Sequence, residues 1–280
     1  MARELVTRYA PYVDEIFSQE SKKSLLTNND FDFDGAGTVK IYKVSTADMN
    51  DYGRNGAAEG NWSRYGKVAD LDATTETMTL SKDRSFTFVI DKLDENETAR
   101  QLSGATALAR QVRNVVVPEV DMHVYSKAAA GAGTVLEAEL TSTNIYEQIL
   151  LASKTLDDEL VPEEGRVLVV TPDVYRLMKL NKEIVMETEI GADMRKKGVI
   201  SNLDGAAVVK VPAVRLPKDF SFMLTHPCAT TAPTKLEDYN THLNPPGING
   251  TLVEGRIVYD AFVLENKKKA IYYVKNKAAA

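Results

Sequence analysis

The sequence predicts an α+β fold, and three stretches carry that prediction. Residues 94–130 place Leu102, Ala105, Leu108, Val112, Val116, Val120 and Val124 close to helical spacing, with Arg100, Gln101, Arg110, Gln111 and Arg113 between them. Residues 78–90 alternate instead. Met78, Leu80, Phe86, Phe88 and Ile90 fall on one face, and Thr79, Ser81, Asp83, Ser85 and Thr87 on the other. Beyond residue 141 short apolar runs alternate with helical patterns, the mark of an α/β region.

Taken in order, residues 1–34 read as a terminal arm with one short helix at Val13–Glu20. Residues 38–44, TVKIYKV, read as a strand. Residues 45–76 follow as a loop rich in Gly, Asn and charge. A loop this long inside a compact domain calls for a job. It is either an arm packed on a neighbouring molecule or a mobile surface loop, and the single tryptophan, Trp62, favours a contact. In the strand at 78–90, Lys82 and Arg84 interrupt the apolar face, so one end is expected to be buried and the other to project. The helix at 94–130 is expected to start on the capping pair Asp94 and Glu97 and to stop at Ala130-Gly131. Pro118 should kink or split it.

In the α/β region, Asn144 and Glu147 offer a cap, and Ile145, Ile149, Ala152, Leu156 and Leu160 mark one helical face. Val167–Val170 reads as a buried strand. Thr171 and Pro172 open a helix continued by Val174, Leu177, Met178 and Leu180. Residues 185–204 are charged and loop-like. Strands are expected at Ala206–Val211, Phe220–Leu224, Ile257–Leu264 and Ala270–Val274, with a rigid turn-rich loop starting at Asn244, Pro245 and Pro246. Ile257–Leu264 is apolar on both faces and so wants cover on both.

Composition narrows the function. Of 280 residues 44% are hydrophobic and 26% charged, ordinary globular material with room for about two domains. The net charge of −6 argues against a binder that grips nucleic acid through a basic surface, though not against one that encloses it. The single cysteine, Cys228, excludes an internal disulfide framework and fits a reducing compartment. No signal-peptide core and no run of transmembrane length is present, so no membrane association is expected.

Chemistry is sparse. Gly60 to Lys67 is one residue too long for a phosphate loop, and Val68 replaces the required hydroxyl. No GxGxxG follows a strand and no GxSxG occurs. His226 and Cys228 flank Pro227 without a second pair at ligand spacing. The expectation is no catalytic residue, no metal, no cofactor and no enzyme.

Four segments together resemble the major capsid proteins of tailed bacteriophages, the Johnson-fold family. They are RVLVVTPDVYRLMK at 166–179, GVISNLDGAAVVKVPAVRLP at 198–217, HPCATTAPTKLEDY at 226–239, and NPPGINGTLVEGRIVYDAFVLENKKKAIYYVKN at 244–276. The first half matches by layout alone. The resemblance implies an N-terminal arm at 1–34, an extended E-loop hairpin with P-domain strands at 35–93, and a P-domain spine helix within 94–140. It further implies an α/β A-domain at 141–254, a P-domain strand at 255–266, and an A-domain return strand and tail at 267–280. Residues 257–264 would then pair beside the 78–90 strand under the spine helix, and residues 270–274 would return to the A-domain sheet.

The E-loop of this family reaches over an adjacent subunit, which makes Arg54, Trp62, Arg64 and Lys67 candidate assembly residues. Asn244, Pro245 and Pro246 become candidates for an A-domain loop at the symmetry axes. The implied protein self-assembles as pentamers and hexamers into an icosahedral shell around double-stranded DNA, in the host cytoplasm and then in the virion. A portal is an implied partner. Because residues 1–34 are too short for a fused scaffold of the usual size, the resemblance implies either a separate scaffolding protein or an N-terminus already trimmed. Two other readings stand beside it: an encapsulin-like nanocompartment shell, and a soluble α/β enzyme.

Overall fold

A computed structural model describes residues 21–28, 38–56, 62–67, 70, 73–93, 103–181, 184 and 202–277. The chain forms two compact units, Gly35–Leu80 and the remainder.

The small unit is a hairpin. Strands β1 (Thr38–Val44) and β2 (Ala73–Thr79) pair antiparallel, from Thr38 opposite Thr79 to Val44 opposite Ala73. Lys43 and Glu76 share one face and form an ion pair at 3.0 Å. Residues 73–76, expected in the loop, are therefore strand. The strand expected over 78–90 is in fact two. It breaks at Leu80-Ser81, where the apolar face gives way to Lys82 and Arg84, and β3 (Lys82–Asp91) takes a different partner. One alternating pattern thus served two sheets.

The large unit holds three sheets among the described residues. A three-stranded antiparallel sheet has the order β10-β11-β3, with β10 spanning Thr234–Leu243 and β11 Gly250–Tyr259. The register runs from Gly250 opposite Asp91 to Tyr259 opposite Lys82. A mixed six-stranded sheet has the order β4-β13-β8-β5-β7-β6. Its strands are β4 (Thr134–Ala138), β5 (Val167–Val170), β6 (Asn202–Leu203), β7 (Ala206–Lys210), β8 (Phe220–Thr225) and β13 (Ile271–Asn276). Between the two, β9 (Thr230–Thr231) pairs with β12 (Phe262–Val263).

The long helix is shorter and less regular than expected. It opens as α1 (Gly104–Gln111), capped by Ser103, whose backbone is extended and whose side-chain oxygen accepts the Thr106 N–H. The expected capping pair Asp94 and Glu97 lies outside the described residues. A π-turn, Val112–Val116, leads into α2 (Val117–Ala130), with Pro118 in its first turn. Proline cannot donate to the carbonyl four residues back and crowds it, and the wider turn just ahead absorbs that conflict. The helix is locally re-wound, not split, and it ends before Gly131 as expected.

Val116, Val120 and Val124 pack on Ile257, Tyr259 and Ala261, so one flank of this helix roofs the three-stranded sheet. Tyr125, Ala128 and Ala129 belong to the other core, built on the six-stranded sheet. That core is closed by α3 (Ile145–Asp158) and α4 (Pro172–Leu180). Ile145, Ile149, Ala152 and Leu156 are buried as the periodicity requires, but Leu160 lies past the helix end at φ 59 and is 91% exposed. Asn144 does not cap α3; its amide instead bridges the Thr141 N–H and the Glu139 carbonyl. Thr171 does cap α4, accepting the Val174 N–H at 3.2 Å. Leu180 ends its helix 59% exposed.

The C-terminus also departs from expectation. The ladder of β11 ends at Tyr259, and Asp260 and Ala261 turn the chain into β12, so Ile257–Leu264 is not one strand. After a 3₁₀ turn at Glu265–Ala270, β13 enters the six-stranded sheet between β4 and β8.

Candidate assembly surface

The loop joining β1 to β2 is closed on itself. The Gly53 N–H donates to the Arg64 carbonyl at 2.8 Å, and Asn50 Nδ2 donates to the Lys67 carbonyl at 3.4 Å. Tyr52 and Tyr65 meet edge to face at 5.1 Å. Gly66 sits at φ +87, and a Cβ there would lie 2.5 Å from Asn50 Cβ, so the crossing requires glycine twice over. These bonds bring Arg64 level with Gly53, beside Arg54. Lys67 lies at the neck.

Arg54, Trp62, Arg64 and Lys67 are all exposed, as are Met49, Tyr52 and Tyr65. Trp62 is 86% exposed. On one face of the hairpin Tyr42 and Val44 are exposed as well. A two-stranded ribbon is marginal in water by itself. This one presents several large apolar side chains to solvent alongside three cations that make no ion pair among the described residues. Such a surface fits a partner that offers apolar cover and carboxylates.

Asn244, Pro245 and Pro246 lie elsewhere than expected. They form the turn of the β10–β11 hairpin, with Asn244 at φ 48 and its N–H donating to the Gly250 carbonyl at 2.7 Å. That hairpin belongs to the three-stranded sheet, so these residues do not extend the six-stranded one. The sequence had placed them in the α/β region because β10, TKLEDYNTHL, is an edge strand of mostly exposed polar residues and carries no apolar alternation.

Two buried polar clusters were missed. Asp121, 1% exposed, accepts from Ser21 Oγ at 2.5 Å and Arg215 Nη1 at 2.9 Å. Asp260, 2% exposed, accepts from His123 Nε2 at 2.7 Å, from Ser81 through its N–H at 2.8 Å and Oγ at 2.6 Å, and from the Ala261 N–H at 2.8 Å. Burial alone would raise the Asp260 pKa, but these hydrogen bonds hold it below the usual carboxylate value. Nearby, burial and then Glu119 push Tyr259 up to about 12. A signal for Asp121 was present: it sits four residues before Tyr125 on a buried helical face, where a charge needs a partner.

No group of three or more metal-ligating side chains gathers among the described residues. His226 serves locally, its Nδ1 accepting the Cys228 N–H. No helix among the described residues is long and apolar enough to cross a membrane.

No family model matches the chain, and no curated protein matches it in sequence. Solved structures do. A structure described as Mycobacterium phage Che8 superposes with a TM-score of 0.74 at 20% identity, covering 96% of each chain. The capsid structure of cyanophage P-SCSP1u gives 0.74 at 14% identity, over 98% of this chain and 93% of that one. A virus-like particle from Pyrococcus furiosus gives 0.55 at 10% identity, over 91% and 92%. The chain has the phage-capsid fold.

Proposed function

We propose that this chain is the major capsid protein of a tailed bacteriophage, the repeating subunit of its icosahedral head. It self-assembles as pentamers and hexamers around double-stranded DNA and resides in the virion. The observation that carries the reading is likeness to a phage capsid structure over nearly the full length of both chains. The exposed hairpin supplies the physical motive. As the E-loop, it lays Trp62, Arg54, Arg64 and Lys67 on an adjacent subunit, which provides the cover its composition lacks. The spine helix and three-stranded sheet serve as the P-domain, now including residues 234–259, and the six-stranded sheet serves as the A-domain. The role is structural, not enzymatic. A scaffolding protein and a portal are the expected partners, and assembly takes place in the host cytoplasm.

The test is size-exclusion chromatography and negative-stain microscopy of the purified chain, with and without the co-expressed scaffolding protein. Closed shells are expected. A chain that stays monomeric at high concentration in both conditions counts against the proposal.

A further inference from the structure

Two of the places at which the chain changes sheets are far apart in sequence. One is Leu80-Ser81, where β2, paired with β1, gives way to β3, paired with β11. The other is Asp260-Ala261, where β11 gives way to β12, paired with β9. Leu80 is also the last residue of the small unit and Ser81 the first of the large one along this stretch.

One carboxylate holds both places. Asp260 Oδ2 takes the Ser81 N–H and hydroxyl, while Oδ1 takes the Ala261 N–H and the His123 ring from α2. His123 is kept in place by Tyr259, whose ring it meets edge to face at 5.6 Å and whose hydroxyl donates to Glu119 at 3.3 Å. Four donors from three elements converge on a side chain with almost no access to water, where such bonds are strongest and a missing partner costs most. A carboxylate only needed for a turn would bond its own neighbour, as the Ala261 contact does. The two Ser81 bonds fall instead at the start of β3.

We propose that Asp260 clamps the start of β3, where the chain enters the large unit, and that releasing it frees this stretch without unfolding the rest of that unit. The clamp is a property of the single subunit, and its test does not depend on the capsid reading.

The test is amide hydrogen exchange on the unassembled subunit and its Asp260→Asn, Ser81→Ala and His123→Gln variants. Exchange in β13, an inner strand of the six-stranded sheet with Ile271–Val274 buried, serves as the internal standard. In Asp260→Asn the amides of residues 79–83 should exchange at least about tenfold faster, with β13 protection unchanged. Ser81→Ala, which keeps the N–H bond, should give a smaller rise at the same residues. Unchanged exchange at 79–83 overturns the proposal. So does a rise matched by β13, which would make Asp260 an ordinary core residue. Should Asp260→Asn not fold, the other two variants decide: wild-type exchange at 79–83 in both refutes the clamp.

Discussion

Replacing Asp121 tests how α2 is fastened to the rest of the large unit. Its two oxygens are both occupied, one by Ser21 and one by Arg215, and the two charged residues are 1% and 7% exposed. Asp121→Ala removes the buried carboxylate that Arg215 Nη1 meets at 2.9 Å, while the guanidinium stays buried. Removing one member of a buried pair costs about 3–5 kcal/mol, because the remaining charge has lost its hydration and its counter-charge together. Asp121→Asn keeps the shape and the Ser21 contact and removes only the charge, so about 1.5–3 kcal/mol is expected. The double variant Asp121→Leu with Arg215→Met replaces both charges by apolar groups and should return to within about 1 kcal/mol of the parent. Urea unfolding of the unassembled subunit, followed by circular dichroism, reads all three as midpoint shifts at constant slope. The reasoning fails if Asp121→Ala costs less than about 0.5 kcal/mol, the range of a surface site. It fails equally if the double variant costs the sum of its two singles, since that would mean the pair is not coupled.

Three further outcomes follow. Trp62→Ala should change subunit stability by no more than about 0.5 kcal/mol, because its side chain is solvated, yet a lost interface anchor of about 2 kcal/mol should raise the concentration needed for assembly about thirtyfold, measured by light scattering. Gly133→Ala should cost about 1–3 kcal/mol in urea unfolding, because its Cβ would lie 2.6 Å from the Lys268 carbonyl oxygen, an atom of the backbone that cannot swing aside. Asp260, whose folded pKa is depressed, contributes stability that is fully present above its unfolded value near 3.9 and is lost as pH falls through the lower folded value. Thermal unfolding of the parent should therefore lose ground to Asp260→Asn below about pH 4, and parallel acid profiles for the two would contradict this.

Much of the architecture was legible because burial on one face leaves a period. Val167–Val170 with the Thr171 cap, the Ile145 to Leu156 stripe, and Val116, Val120 and Val124 all did what their spacing required. The errors fall where periodicity is silent. The alternation over 78–90 does not register that the chain changes partners at Ser81, because both sheets ask for the same face. Strand β10 lies at a sheet edge and is mostly polar, so no alternation announced it, and Asn244, Pro245 and Pro246 read as a turn-rich loop and not as the turn of a hairpin. Leu160 looked like one more turn of an apolar stripe, but the helix had already ended. Of the candidate surface, Trp62 was legible from composition, since a large apolar residue in a Gly- and Asn-rich stretch has nothing local to pack on. The closure of that loop by Gly53, Arg64 and Asn50 depends on backbone geometry that no residue pattern announces. Asp121 and Asp260 find their partners across 94 and 179 residues, distances over which a single sequence carries no pairing signal.

The most direct measurement is a cryo-electron microscopy reconstruction of whatever the purified chain forms when co-expressed with its scaffolding protein. The capsid account predicts closed icosahedral shells with pentamers and hexamers, each copy placing residues 45–72 on an adjacent subunit with Trp62 covered at the contact. A monomeric or small-oligomeric particle, or a shell in which Trp62 remains bare to solvent in every copy, would contradict it.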